Sequence, residues 1–207
     1  LVSMRSLPDG GQSPYELNTT FYDALSRTFK GEDDHHHARF ICSQTIVMSL
    51  EGIPAFYIHA MLATPNDHAQ VEHRGMSRAI NRHRWDYPSL RDRLADASSA
   101  QARVLGDLSA RLKVRQKQKA FHPNATQFTV NLQDDRVFGV WRQSLDRKQS
   151  IFALHNVSDA SVAISAAALN LIEDQPWLDL ISGDLIDASA DHITLGPYQC
   201  MWITNRF

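Results

Sequence analysis

The stretch Ser49-Leu50-Glu51-Gly52-Ile53-Pro54-Ala55-Phe56-Tyr57-Ile58-His59-Ala60-Met61-Leu62 decides the fold class. Just before it, Phe40-Ile41-Cys42 and Ile46-Val47-Met48 are apolar on most sides, which predicts a buried helix. Gly52 stops that helix, and Pro54 follows two residues later. The run at about 55–62 is short, aromatic and bounded by Pro54 and Pro65. Those are the marks of a central strand buried on both faces. Helix, tight turn and buried strand together make an α/β unit.

Upstream, the first residues are polar and turn-rich, with Pro8, Gly10, Gly11 and Pro14. Asn18, Thr19 and Thr20 are helix-capping types and open a helix toward Leu25. Downstream, 63–86 is a long polar segment rich in His, Arg and Asn, and Ser89 to Lys119 reads as one helix with Leu105, Leu108 and Leu112 on its apolar stripe. After about 120 the period changes. Phe128, Val130 and Leu132 alternate, Asp134-Asp135 turns the chain, and strands follow at Val137–Trp141, Ile151–Leu154, Val162–Ile164, His192–Leu195 and Gln199–Ile203. Short strands without intervening helices predict a small antiparallel sandwich, with Phe128, Phe138, Trp141 and Phe152 alternating as core.

The chain has 207 residues, 43% of them hydrophobic and 21% charged, which excludes a mainly disordered chain. A net charge of −2 argues against a nucleic-acid partner. No run of about 18 apolar residues exists, so no membrane helix is expected. The sequence lacks a starting Met and reads as cut from something longer. Cys42 and Cys200 each sit in an apolar run, so two buried thiols and a cytoplasmic setting are expected.

Three adjacent histidines, His35-His36-His37, have the wrong spacing for a metal site, because consecutive helical residues point in different directions. No nucleophile elbow, Walker loop or dinucleotide glycine pattern is present, and neither metal nor organic cofactor is implied. The chemistry-bearing residues cluster after the expected strand. His59 is followed by Asn66, Asp67, Glu72, His73, Arg74, Arg78, Asn81, Arg82 and His83. In α/β folds, ligands bind beyond the carboxyl ends of the strands, where arginines hold anions and Asn or Asp side chains hold sugar hydroxyls. A solvated charged loop reads equally well from the pattern alone.

Several stretches resemble the sucrose phosphorylase subfamily of the α-amylase superfamily (glycoside hydrolase family thirteen). They are Ser13-Pro14-Tyr15-Glu16-Leu17-Asn18, Phe21-Tyr22-Asp23-Ala24-Leu25, Gly52 to His59, Asn66-Asp67, Ser77 to Arg82, Ala120 to Ala125, and Pro197 to Ile203. They cover essentially the whole chain in order. The resemblance implies the last units of a (β/α)8 TIM barrel over 1–119, with its last strand at about 55–62, and a β-sandwich C-terminal domain over 120–207. A whole barrel takes ~250 residues, so the first part of the barrel is missing. Retaining enzymes of this kind use two carboxyl groups ~5 Å apart, and the family adds a third carboxylate. Asp23, Asp33 and Asp34 fit none of these motifs, so no catalytic residue is expected in this chain and alone it should be inactive.

What the resemblance does imply is a binding wall. Arg78 matches an arginine that reaches the bound glucosyl unit, and Tyr15 matches a tyrosine that helps to receive phosphate. Glu16 and Ser13 replace a glutamine and an aspartate that contact fructose in sucrose phosphorylases, which points away from sucrose and toward glucosylglycerate and glucosylglycerol phosphorylases. Glu72, His59 and Asn81 complete the candidate substrate-binding set. The implied parent is a cytoplasmic hexosyltransferase that moves glucose between an α-glucoside and phosphate, giving α-glucose 1-phosphate. An α-amylase-type hydrolase and a non-catalytic carbohydrate-binding β-sandwich are the alternatives.

Overall fold

The computed structural model describes residues 1–169, 171 and 176–206. The chain opens with a hairpin of β1 (Val2–Ser6) and β2 (Gln12–Leu17), whose register shifts at Ser3/Met4, where Pro14 enters the ladder. Thr20 caps α1 (Phe21–Ala24) by accepting the Asp23 N–H, and a two-residue ladder of β3 (Arg27–Thr28) and β4 (Gly31–Glu32) follows. Next come α2 (His36–Ser49), α3 (Ile58–Met61) and α4 (His68–Arg74). Asp67 caps α4 at one end and left-handed Gly75 (φ 62°) closes it at the other. A 3-10 turn at Ser77–Asn81 leads to α5 (Tyr87–Ala95) and α6 (Ala100–Gln116). The remainder is strand: β5 (Thr126–Val130), β6 (Val137–Gln143), β7 (Ser150–Asn156), β8 (Val162–Ser165), β9 (Trp177–Asp179), β10 (Leu185–Ile186), β11 (His192–Leu195) and β12 (Cys200–Thr204).

The chain divides into two compact units, one of residues 1–36 and 56–106, the other of 37–55 and 107–207. In the second, six antiparallel strands run in the order β10-β9-β12-β7-β6-β5, and β11 pairs with β8 in a separate two-stranded sheet. Their alternating residues bury Leu154, Val162, Ile164, Trp177, Ile193, Leu195 and Ile203 in one core.

That second unit also holds the C-terminal end of α2 by polar bonds. Helix carbonyls at this end have no partner within the helix. Arg115 Nε donates to the Met48 carbonyl at 2.7 Å and its Nη2 to the Gly52 carbonyl at 3.2 Å, while Arg142 Nη1 donates to the Ser49 carbonyl at 3.1 Å. Two cations borrowed from distant sequence thus complete a helix whose own last turn has none, as the helix dipole favours. Beside them, Trp202 Nε1 donates to Ser49 Oγ at 2.9 Å, and His155 Nε2 lies 3.0 Å from the same oxygen. His155 Nδ1 lies 3.1 Å from the Phe138 carbonyl, and burial lowers the pKa of His155 to about 4, so the ring is neutral and Nδ1–H is the donor.

Four expectations need correcting. No strand forms at 55–62. Residues 53–57 lack regular structure, Ile58–Met61 is a helical turn, and Tyr57 and Ile58 are exposed. A buried strand needs neighbours to pair with, and among the described residues of the first unit the only ladders are β1 with β2 and β3 with β4. The division at 119/120 also moves, because the bonds at the end of α2 place 37–55 and 107–119 with the strands. The single helix over Ser89–Lys119 breaks at 96–99, where Asp96 accepts the Ser98 N–H and hydroxyl, and Ser99 Oγ accepts the Ala102 N–H. Finally, Phe128 is 50% exposed rather than core. It lies on β5, the edge of the wide sheet, whereas the second sheet has only two strands to cover it.

Candidate functional site

In the first unit, the hairpin and the 3-10 turn bring together residues 62 positions apart. Arg78 Nε donates to both carboxylate oxygens of Glu16, at 3.1 and 3.0 Å. These hydrogen bonds, with the charge of Glu16 and a further hydrogen bond to Tyr15, push the Arg78 pKa up, so the guanidinium stays charged. Both partners retain access to solvent, with side-chain exposures of 52% for Arg78 and 31% for Glu16. Tyr15, on the same strand as Glu16, is 55% exposed. Three of the expected residues therefore form one accessible cluster whose Arg and Glu charges cancel.

The loop that carries Arg78 is held by side chains that the sequence marks as ligand candidates. Asn66 Oδ1 accepts the Thr20 N–H at 2.7 Å and the Thr19 hydroxyl at 3.2 Å, while the Asn66 N–H donates to Asp23 Oδ2 at 2.7 Å. Asp67 accepts the Gln70 N–H at 2.9 Å, its own N–H donates to the Ile80 carbonyl at 2.8 Å, and its Oδ2 lies 2.6 Å from His83 Nδ1. Burial raises the pKa of Asp67, but the bonds from His83 and Gln70 outweigh it and hold the carboxyl below its ordinary range. Asn66 and Asp67 thus act as clamps, and the second anchors the 3-10 turn behind Arg78.

The other candidates are placed differently. His59 sits on α3, with Nδ1 3.1 Å from Thr64 Oγ1, and Thr64 also accepts from Trp85 Nε1 at 3.0 Å. Burial, then the proximity of His83, lowers the pKa of His59 and keeps it neutral near pH 7. Ser13 points its hydroxyl at the Pro14 carbonyl, 3.4 Å away. Glu72 is exposed on α4, and Asn81 is half-buried at the end of the 3-10 turn. Among the described residues no hydrogen bond or ion pair joins these four to the Arg78–Glu16 pair. Thr64 and Trp85 have no signal in the sequence, and His83 shows there only as a polar loop residue, because each acts through a partner outside its own element.

The carboxylates have structural work. Six aspartates, at 67, 86, 96, 134, 146 and 187, have a lowered pKa, Asp134 and Asp146 to about 2, and each accepts hydrogen bonds from nearby backbone or side-chain donors. A general acid needs the opposite shift. The histidine run splits, with His36 Nε2 2.9 Å from the Tyr22 carbonyl and His37 Nε2 2.8 Å from Asp107 Oδ2. Among the described residues no three His, Cys, Asp or Glu side chains gather as metal ligands. Cys42 and Cys200 are buried free thiols in one apolar cluster. No described helix is long and apolar enough to cross a membrane.

Comparison with known proteins places this geometry in context. No family profile matches the chain. A glucosylglycerate phosphorylase of Allomeiothermus silvanus is 37% identical over 203 residues, covering 98% of this chain and 33% of that protein. One of Escherichia coli is 36% identical over 203 residues, covering 98% and 34%. The chain thus spans about a third of the length of the curated relatives it matches. An α-amylase of Anoxybacillus superposes with a TM-score of 0.58 at 13% identity, over 83% of this chain and 33% of that one, which is a likeness of fold alone.

Proposed function

We propose that this chain, similar along nearly its whole length to glucosylglycerate phosphorylases, is part of the sucrose phosphorylase subfamily of the α-amylase superfamily and forms the substrate-binding wall of a retaining glucoside phosphorylase. The reaction moves glucose between an α-glucoside, such as glucosylglycerate or glucosylglycerol, and phosphate. In the first step a carboxylate outside this chain displaces the acceptor from the anomeric carbon, and a carboxylic acid protonates the departing oxygen. In the second, phosphate displaces the enzyme carboxylate and leaves as α-glucose 1-phosphate. Asp86, Asp134 and Asp146, whose oxygens accept nearby hydrogen bonds that hold their pKa down, do not suit the acid role.

The observation that carries this reading is the Arg78–Glu16 pair. Glu16 binds Arg78 Nε through both carboxylate oxygens, which keep lone pairs to spare, and so aims the remaining guanidinium N–H groups, a rigid fork suited to hydroxyls and oxyanions. Arg78 would hold the glucosyl unit, Tyr15 would donate to incoming phosphate, and Glu16 would accept a hydroxyl of the departing acceptor. His59, Ser13, Glu72 and Asn81 would line the same wall. A cytoplasmic setting, in which thiols stay reduced, fits the two free cysteines.

The test is a chimera in which this chain replaces the matching third of the Escherichia coli relative. Supplied with glucosylglycerate and phosphate, it should yield α-glucose 1-phosphate. A folded chimera that yields only free glucose would make the chain part of a hydrolase. One that turns over no α-glucoside at all would refute the reading.

A further inference from the structure

The six-stranded sheet carries a row of aromatic rings that ends in the open. Phe128 on β5 lies directly opposite Trp141 on β6, and Trp141 directly opposite Phe152 on β7. The first two rings stack with centroids 5.2 Å apart at 30°, the second pair 6.0 Å apart at 19°, and Trp177 continues the row 5.8 Å from Phe152. Exposure rises along it, from 4% at Trp177 and 9% at Phe152 to 50% at Phe128. The interior face of the wide sheet runs out beyond the two strands that cover it. There it floors a groove of about 850 Å³, whose walls also carry Gln143 and Arg147. The Nε1–H of Trp141, a ring in this wall, has no hydrogen-bond acceptor.

An occupant must suit both features. A purely apolar ligand would waste the amide and guanidinium donors, and a small anion would waste the rings. A pyranose suits both, because its axial C–H face is apolar and flat while its equatorial edge is ringed with hydroxyls. Two nearly parallel rings on adjacent strands offer a platform for such a disc. We propose that this groove is a carbohydrate site of the β unit. It takes a short oligosaccharide, with one sugar stacked on Phe128 and Trp141 and its hydroxyls bonded to Gln143 and Arg147. This rests on the second unit alone and stands whether or not the phosphorylase reading holds.

The 207-residue chain is titrated with maltotriose and with cellotriose, followed by tryptophan emission and calorimetry. At least one should bind saturably with a Kd of about 1 mM. Phe128→Ala, which removes a half-exposed ring and so spares the fold, should weaken binding at least about fivefold, whereas Phe128→Tyr keeps the ring and should stay within about twofold. Gln143→Ala should weaken it about threefold and serves if the first variant misfolds. No saturable binding of either sugar up to about 20 mM would overturn the proposal. So would unchanged binding by a folded Phe128→Ala or Gln143→Ala variant.

Discussion

The two units are stabilised in different ways. In the second, single side chains serve several partners: Ser49 Oγ meets Thr45, His155 and Trp202, and Arg142 reaches carbonyls of Ser49, His122 and Ala125. These groups are buried. In the first, the Arg78–Glu16 pair is open to solvent and its turn is pinned by a few Asn and Asp bonds. Buried polar networks lose heavily when one member is removed, whereas exposed pairs contribute little stability and remain free to meet a ligand. Buried polar bonds are concentrated in the second unit, and the open charged pair lies in the first.

The contrast breaks most readily at Trp202, the largest fully buried side chain. Trp202→Ala should cost the second unit about 4 kcal/mol in urea unfolding. A loss below about 1 kcal/mol would mean that the buried node is not what holds this unit.

Acid should act on the same node. His155 has a folded pKa of about 4 against about 6.5 unfolded. Between these values the unfolded chain binds the proton that the folded one refuses. Stability should therefore be whole above about pH 6.5 and fall by roughly 3 kcal/mol as pH drops to about 4. A His155→Gln variant should lose most of that slope, and an unchanged slope would assign it to other groups.

The first unit should respond locally. Asn66→Ala strands the N–H of Thr20, which is only 3% exposed, and should cost about 2 kcal/mol. Hydrogen exchange should show lost protection around 18–25 with the strands unaffected. Smallest of all, Arg78→Ala should change stability less than any of the variants above, because both members of the pair are open to water. A larger loss would make the pair structural rather than a recognition group.

What the sequence reveals follows the same division. The alternation at Phe128–Leu132 and Val137–Trp141 marks β5 and β6, and Gly52, at φ 93°, ends the α2 region as its position implies. The β1–β2 hairpin is hidden because its residues are mostly exposed and carry no apolar period, and β9 and β10 are too short to show one. The aromatic run 55–62 carries a strand's pattern, yet a strand also needs a partner, which periodicity does not supply. The meeting of Tyr15 and Glu16 with Arg78 cannot be read from spacing across 62 residues. Only the family resemblance brought them into one set. The clamping by Asn66 and Asp67 was legible as polar residues in a loop, but whether they face a ligand or the backbone depends on partners such as Thr20 and His83.

The most direct test of recognition without stability is Arg78→Ala in the chimera with the Escherichia coli relative, assayed for phosphorolysis of glucosylglycerate alongside thermal melting. The account predicts a loss of at least about 100-fold in kcat/KM with the melting temperature unchanged. Activity within about threefold of the parent chimera would contradict it and return Arg78 to the surface.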